Sequence, residues 1–408
     1  MSTSPRPLPQ GNRLGTGLIL LLALLTALDA MAIDLYLPGM PFMAIDLGVG
    51  AGRIQQTLSI FLIGLAVGQC IYGPLLDRYG RRLPLLLGVV VFVAGSILAA
   101  TAPTIEWLML ARLLQALGAA AGLVVPRAMV ADLCTMTEAA RAFSLLMQVM
   151  MIAPIAAPLL GGYLLGHGSW RFLFWVLAFM GGVGLLWAWR SLPESLPVAA
   201  RVPLDWRSIW RGYTRQLCHA VFMGYTLASG FVLGSLFAYI SGSAFIFTQY
   251  YALTPAQFSY LFAANSLCIV AGGQISNWLL RRSSVQRVMG AGMLLHGVAA
   301  LALWLVVAQG QASVWGYAGL LALAVGALGL VFGNLTALTM GHASGQAGVA
   351  SSLMGALQYA ISAVIGYLLS LAASGPVALP MGMALCAAGA VLASLYAQWR
   401  ARTAAASA

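Results

Sequence analysis

Charge is scarce in this sequence, and it is unevenly distributed. Charged residues make up 7% of the 408 positions, whereas about 25% is usual in a soluble domain, and lysine is absent altogether. No aspartate or glutamate occurs after Asp205, and no arginine occurs at 216–280 or 288–399. With 61% hydrophobic residues, this composition predicts an integral membrane protein, and it argues against a soluble nucleic-acid-binding protein despite the net charge of +11.

Cysteine is also sparse, and the five cysteines show no pattern that would build a site. Their number is odd and no CxxC spacing occurs, so neither a disulfide framework nor a zinc site is predicted. We expect them to pack as small apolar residues. They are Cys70, Cys134, Cys218, Cys268 and Cys386. No metal and no organic cofactor is expected.

Long apolar runs dominate what is present. Taking about 20 residues for each crossing of a bilayer, we predict twelve spans. Each should be a helix, because lipid cannot satisfy the hydrogen bonds of other backbone conformations. The predicted spans are 15–38, 54–76, 84–102, 105–127, 142–164, 171–189, 219–247, 257–280, 288–308, 314–338, 349–373 and 378–399.

The arginines predict the orientation of these spans. If the N-terminus is inside, seventeen of the twenty lie on the inner side, including Arg6 and Arg13, and only Arg53 and Arg171 lie in outer loops. The excess of basic residues on one side predicts that both termini are cytoplasmic. The first apolar run is too long for the core of a signal peptide, so we interpret it as an uncleaved first span.

The chain divides into two similar halves. Residues 190–215 contain five arginines and three prolines and separate the spans six and six. We predict an N-terminal half at 1–189, a cytoplasmic linker at 190–215 and a C-terminal half at 216–408. Two patterns recur between the halves: Gly73, Arg81 and Arg82 as Gly273, Arg281 and Arg282, and Gly162-Tyr163-Leu164-Leu165 as Gly366-Tyr367-Leu368-Leu369. A six-helix duplication would place a substrate site between the halves, near the middle of the membrane.

The first span carries two carboxylates, Asp29 and Asp34. Each costs about 2.5–3.5 kcal/mol in a membrane, so we expect them to face the bundle interior and to handle protons or ions. Arg112 lies about 12 Å below Thr104, in the layer of these acids, where a permanent positive charge would stabilise an ionised Asp34. We therefore predict a proton-coupling set of Asp34, Arg112 and Asp29, whichever acid is the main carrier. The alternatives are an aspartate at the outer interface and an arginine that binds only a neighbouring carbonyl.

The loop after the second span reads GPLLDRYGRR, from Gly73 to Arg82. An acid flanked by arginines can bridge helix ends in one conformation and release them in another. An ordinary basic inner loop would explain the arginines but not the ordered Gly, Asp and Gly. The predicted gating residues are Gly73, Asp77, Arg78, Gly80, Arg81 and Arg82, with Asp132 either their partner or a solvated residue.

Two further sets of residues are candidates for function. In the fifth span, Pro154, Pro158, Gly161 and Gly162 could kink the helix for function or merely shape its packing. A substrate cavity is expected to use aromatic, methionine and amide side chains. The candidates are Tyr36, Gln115, Met147, Met150, Tyr239, Asn265, Asn334 and Gln358.

These motifs resemble the major facilitator superfamily. The loop matches that family's signature GxLxDRxGRR, and LMLARLLQALGAAAG and APIAAPLLGG resemble stretches of its drug antiporters, with Ala157 in place of the usual Gly. IDLYLPGMP and FAYISGSAF are similar to the bicyclomycin-resistance and chloramphenicol-efflux (Bcr/CflA) branch. Gly333 and Ala244 stand where that branch usually has Pro.

The resemblance implies an all-α major facilitator fold with twelve transmembrane helices in two pseudo-symmetric halves. It implies proton-coupled efflux of small amphipathic drugs, such as phenicols, bicyclomycin-like compounds or lipophilic cations, across the bacterial inner membrane. The expected partners are drug molecules, protons and the lipid bilayer, with no nucleic acid, and we expect a monomer. One alternative is a dedicated exporter of one amino acid or sugar. A membrane enzyme is disfavoured, because no span carries a Ser, His and Asp set.

Overall fold

A computed structural model gives the structure of residues 16–201, 206–343, 347–372 and 375–406. Arg6, Arg13 and the side chain of Arg141, on which the predicted orientation partly depends, lie outside the described residues. In these ranges the secondary structure is helical and contains no strand. Twelve helical segments are long and apolar enough to cross a membrane, which confirms the predicted number of spans.

Fifteen α-helices form these spans and the connections between them. The first half contains α1 (Thr16–Asp34), α2 (Met40–Asp46), α3 (Ala51–Tyr79), α4 (Arg82–Ala100), α5 (Ile105–Leu133), α6 (Met136–Leu165) and α7 (Arg171–Ser191). The linker forms α8 (Trp206–Leu217), and the second half contains α9 (Ala220–Phe245), α10 (Pro255–Leu279), α11 (Val285–Ala308), α12 (Val314–Ala327), α13 (Phe332–Gly341), α14 (Ala347–Ser370) and α15 (Ala378–Ala406).

The first span is broken rather than continuous. A 3-10 turn at Leu37–Gly39 separates α1 from α2, and Pro38 and Pro41 lie in the first turns of the segments that follow the breaks. Proline cannot donate a backbone hydrogen bond within a helix, which explains the change of helix type. The span continues to Asp46, so the predicted end at residue 38 was wrong.

Helix α5 is longer than the predicted fourth span. It begins after Thr104, whose hydroxyl accepts a hydrogen bond from the amide of Trp107, and it ends at Leu133. The prediction ended this span at 127, which was wrong because a single arginine does not end a helix. Arg127 and Asp132 are therefore helical residues.

The repeated glycines lie at corresponding contacts in the two halves. A Cβ atom at Gly162 of α6 would collide with the hydroxyl of Ser259 on α10, and a Cβ atom at Gly366 of α14 would lie 2.9 Å from the hydroxyl of Ser59 on α3. Each glycine thus allows close packing against the other half. Helices α6 and α14 are the fifth spans of their halves, and α3 and α10 are the second spans, so the two contacts correspond to each other. A duplicated bundle requires such a correspondence.

The two halves are in contact along the whole of one seam and along only part of the other. We call the end that carries residues 73–82 the loop end. Helices α3 and α14 pack together along their length, from Gly52 near Ser370 to Gln69 near Gly355 at the loop end. Helices α6 and α10 are in contact from Gly162 to Pro154, whose carbonyl accepts a hydrogen bond from Ser266. Beyond this point toward the loop end, the side chain of Met147 is 46% exposed.

Candidate functional site

Arg112 is fully buried in the first half. Close packing of α4 on α5 contributes to the burial of Arg112. A Cβ atom at Gly95 of α4 would lie only 2.5 Å from the backbone nitrogen of Gln115 on α5. The Nη1 atom of Arg112 donates hydrogen bonds to the carbonyl of Ala32 (2.9 Å) and to Oε1 of Gln115 (2.5 Å). Gln115 in turn donates to the hydroxyl of Ser96 at 2.8 Å. This chain of hydrogen bonds ties α5 to α1 and α4.

Aromatic rings surround the guanidinium. Its central carbon lies 4.4 Å from the ring centre of Tyr36, 4.2 Å from that of Phe61 and 5.8 Å from that of Phe174. Such cation–π contacts partly replace the water that a buried cation loses. The Nε and Nη2 atoms have no hydrogen-bond partner among the described residues. The rings are therefore a large part of what holds the charge in place.

The carbonyl of Ala32 lies on α1 between the two aspartates. The sequence placed Arg112 in the layer of Asp29 and Asp34, and the guanidinium does lie there. Among the described residues, however, no ion pair joins Arg112 to a carboxylate. The contact thus corresponds to the alternative in which Arg112 binds a neighbouring carbonyl.

Asp29 and Asp34 lie in different surroundings. Both are buried, 4% and 3% exposed, and the Oδ1 atom of each has no hydrogen-bond partner among the described residues. Asp29 is within electrostatic range of Arg112 and Arg127, both in the first half. Asp34 is within range of Asp29 and of Tyr239 on α9. Each acid is thus within electrostatic range of a tyrosine of the second half, Asp34 of Tyr239 and Asp29 of Tyr359 on α14.

The signature loop forms an ion-pair network at the loop end. Arg81 pairs with Asp77 through Nη1 at 3.0 Å and with Asp132 through Nε at 2.9 Å. The hydroxyl of Ser195 also donates to Asp132, at 2.9 Å. Of the two interpretations of Asp132, the structure shows the one in which it binds the loop. All these residues belong to the first half or follow directly after it.

Glu194 is part of this network, and the sequence analysis did not identify it. It accepts hydrogen bonds from the backbone amides of Arg81 (2.8 Å), Arg82 (3.3 Å) and Leu196 (3.0 Å). Burial raises the pKa of Glu194, but these amides and the charge of Arg201 outweigh it, so that the pKa lies below its ordinary value. The carboxylate therefore stabilises the N-terminus of α4. The sequence did offer a signal for this role, because Glu194 is an isolated acid directly after the sixth span, on the same side of the membrane as the basic loop at 73–82.

The other residues of the loop differ in how tightly they are held. Gly80 has a φ angle of +87°, which a residue with a side chain rarely adopts, so its glycine is required by the turn. Arg82 donates to the carbonyl of Trp189 at 2.7 Å, and Arg78 lies beside the ring of Tyr79. Gly73 has open space around it.

A cavity of about 590 Å³ opens at the loop end between the halves. It is lined by Asp77, Arg81 and Arg127 from the first half, by Tyr213 of α8, and by Ser352 of the second half. Arg127, which the sequence assigned to an inner loop, links this cavity electrostatically to Asp29. Solvent at the loop end therefore approaches the charged interior of the first half.

The residues nominated for a substrate cavity fall into two groups. Among the polar candidates, hydrogen bonds within one half join Gln115 to Ser96, Tyr239 to Asn265, Asn334 to Ser276 and Gln358 to Ser229. The hydroxyl of buried Tyr36 lies 3.5 Å from that of Thr57. Met147 is exposed and Met150 is half-buried, on the stretch of α6 beyond its contact with α10. Their part in substrate binding stays a prediction.

The glycines of the fifth span bring α6 close to the acids. A Cβ atom at Gly161 would collide with the carbonyl oxygen of Leu35, the residue after Asp34. Gly162 lies against α10 of the other half, and Pro154 and Pro158 are in the interior of α6. The motif therefore packs α6 against the acidic part of the first span and the second half at once.

Comparison with solved structures identifies the fold. The D-xylose-proton symporter superposes with a TM-score of 0.74 at 13% sequence identity, covering 93% of this chain and 96% of that one. At this identity the likeness concerns the fold alone.

Comparison with known sequences identifies the family. The chain is 35% identical to an uncharacterized MFS-type transporter, YdgK, of Bacillus subtilis, over 90% of both chains. It is 27% identical to a bicyclomycin resistance protein homolog of Haemophilus influenzae (86% and 88% covered), and 33% identical to a chloramphenicol resistance protein of Pseudomonas aeruginosa (70% and 68% covered). The Major Facilitator Superfamily model matches residues 22–367. The chain is a multi-pass protein of the bacterial inner membrane and belongs to the Major Facilitator Superfamily, in its Bcr/CflA branch.

Proposed function

We propose that this protein exports small amphipathic drugs in exchange for protons, as a monomer with both termini in the cytoplasm. The observation that carries the proposal is the pair of buried carboxylates, Asp29 and Asp34, each with an oxygen that has no hydrogen-bond partner among the described residues. An ionised carboxylate in such a place is costly, so it gains either a proton or a cationic partner.

Alternating access follows from the arrangement of the halves. With the loop end on the cytoplasmic side, the cavity between the halves at that end opens toward the cytoplasm. A drug entering near Met147 would displace the proton from Asp34, and the halves would then rock to expose the site outside. Arg112 stays charged throughout and holds α1 through Ala32.

Two things support a substrate class: the residue types nominated for the substrate cavity, and the names of the relatives. Methionine and aromatic surfaces accept apolar groups of varied shape. The relatives are named for resistance to bicyclomycin and to chloramphenicol. We infer that phenicols, bicyclomycin-like compounds and lipophilic monocations are carried, and that no cofactor other than the proton is used.

The test is transport of chloramphenicol by purified protein in vesicles with an imposed pH gradient. The native protein should accumulate the drug against its gradient, and both Asp34→Asn and Asp29→Asn should reduce this accumulation at least tenfold. Asp46→Asn is a matched control in the same span, because Asp46 lies at the far end and pairs with Arg171. Accumulation that is independent of the pH gradient would refute the proposed coupling. Normal accumulation by one Asn variant would remove that acid from the mechanism.

A further inference from the structure

Helix α8 of the linker has one side against the protein. A Cβ atom at Gly212 would lie 3.3 Å from Val349 of α14, and Gln216, about one turn later, is 1% exposed. The hydroxyl of Tyr213 lies 3.4 Å from the carbonyl of Cys70 on α3 and 3.4 Å from the hydroxyl of Ser352 on α14. Helix α8 is therefore docked on the line where the two halves meet.

A second side of α8 is apolar and exposed. Trp210 is 67% exposed and Leu217 is 41% exposed. At about 100° per residue, positions seven apart differ by only about 20°, so both side chains project from one side of the helix. A tryptophan and a leucine on an otherwise basic helix are typical of helices that lie in the interface of a bilayer.

The depth of α8 fits that position. Cys70, which Tyr213 reaches, precedes the end of α3 at Tyr79 by about 13 Å at about 1.5 Å per residue. The 29 residues of α3 extend about 43 Å, whereas the hydrocarbon core of a bilayer measures about 30 Å. Helix α8 thus lies beside the last turns of α3, near the edge of the hydrocarbon core.

A third side of α8 carries positive charge. Arg211 and Arg215 are exposed and four residues apart, so they are neighbours on the helix surface, and exposed Arg207 precedes them at the same spacing. No carboxylate of the residues that the structure describes pairs with Arg211 or Arg215. The two arginines are set about 100–160° around the helix from Trp210 and Leu217. When the apolar side enters the bilayer, they are at the height of the phosphates.

We propose that α8 is a binding site for anionic phospholipids of the leaflet at the loop end. The lipid phosphate binds Arg211 and Arg215, and the acyl chains cover Trp210 and Leu217. Because Tyr213 contacts both α3 and α14, lipid bound to α8 stabilises the seam between the halves at this end. The proposal concerns lipid binding alone and does not depend on which substrate is carried.

The test measures lipid binding to the full chain without transport. Purified protein in a neutral detergent is titrated with short-chain phosphatidylglycerol or phosphatidylcholine, and bound lipid is counted by native mass spectrometry. The native protein should bind phosphatidylglycerol in preference, and salt should weaken that preference. The double variant Arg211→Gln/Arg215→Gln should bind phosphatidylglycerol about thirtyfold more weakly, since each arginine near an anionic surface contributes about a fivefold gain in binding.

The matched control is Arg400→Gln/Arg402→Gln, which removes two exposed arginines from the end of α15 at the same end of the bundle. It should stay within about threefold of the native protein. Equal losses in both double variants, or no phosphatidylglycerol preference in the native chain, would overturn the proposal. An independent measurement uses a nitroxide label on W210C or R211C in a chain with its five cysteines replaced. Collision with oxygen should dominate at 210 and collision with a water-soluble nickel chelate at 211, and the reverse order would also overturn it.

Discussion

At the scale of single residues, the charge of Arg112 is held by a carbonyl and by aromatic rings. The two Nη1 hydrogen bonds go to Ala32 and Gln115, and the planar group lies close to the rings of Tyr36 and Phe61. Neither aspartate of the first span is neutralised by direct contact. Arg112 is within electrostatic range of Asp29, and a permanent cation near an unpaired acid suits a proton-exchanging site.

Arg112→Lys tests this geometry while keeping the charge. A lysine ammonium is compact and strongly hydrated, and it cannot serve the two acceptors and present a flat face to the rings. We expect transport to fall at least tenfold and the midpoint of thermal unfolding in detergent to drop by several degrees. Arg53→Lys is the control, because Arg53 makes an exposed pair with Glu106. Transport by Arg112→Lys within twofold of native would show that only the charge matters.

Glu194 gives a prediction about pH. Its pKa is lowered by the amides of Arg81, Arg82 and Leu196, so its contribution to stability is present above the ordinary glutamate pKa of about 4.3 and is lost as the pH falls through the lowered value. Glu194→Gln should lower the stability by about 0.5–2 kcal/mol at pH 7, as the loss of a helix cap does. The difference in unfolding midpoint between native protein and variant should shrink below about pH 4. A difference that is constant from pH 7 to pH 3.5 would contradict the assignment.

At the scale of helices, hydropathy was enough to predict the spans but not their true ends. The apolar run of the fourth span stops at Arg127, yet α5 continues to Leu133, because a helix longer than the membrane can extend into water. The sequence analysis missed helix α8 because three of its twelve residues are arginines, so the average hydropathy of the segment is that of a polar linker. Its apolar side becomes visible only when residues are placed at 100° intervals.

The sequence predicted the depth of the site residues in the membrane, but it did not predict which side chains contact each other. Depth along a helix follows from counting residues, so Arg112 could be assigned to the layer of Asp29 and Asp34. The rotation of each helix about its axis depends on packing against its neighbours, which one sequence does not reveal. Gln115 and Asn334 were nominated as cavity amides from residue type alone, and their hydrogen bonds to Ser96 and Ser276 within their own halves could not be derived from the sequence.

Gly161→Ala tests whether α6 must approach the first span closely. A Cβ atom at this position would collide with the carbonyl oxygen of Leu35, a backbone atom that cannot move without shifting α1 beside Asp34. We expect a destabilisation of about 1–3 kcal/mol, which is usual for overpacking, together with slower transport. Gly182→Ala is the matched control, since Gly182 of α7 has open space around it. Equal thermal unfolding of the two variants would show that α6 and α1 adjust freely.

At the scale of the whole molecule, the charges are divided unequally between two halves of the same fold. The spans of the second half contain no arginine, aspartate or glutamate at 216–280 or 288–399, so apart from histidine the titratable charge near the midplane comes from the first half. The second half contains a buried histidine, His296, which is hydrogen-bonded within the second half to Ser235 and to the carbonyl of Ala324. The second half therefore offers a substrate neutral polar and apolar surface.

This asymmetry predicts which drugs are carried. Two acids and one arginine are buried in the first half, and the arginine is enclosed by rings and bound to a carbonyl, so the carboxylates are the charges that a substrate meets. A neutral molecule or a monocation is tolerated there, whereas a dianion pays both for desolvation and for repulsion by the carboxylates. We expect phenicols and lipophilic monocations to be exported at least tenfold faster than dianions of matched size. Vesicle transport across such a panel measures this. Asp34→Asn is the internal control, and it should narrow the gap in export rate between dianion and monocation, because it removes one of the two repelling charges. Faster export of dianions by the native protein would show that the substrate path does not pass the acids of the first span.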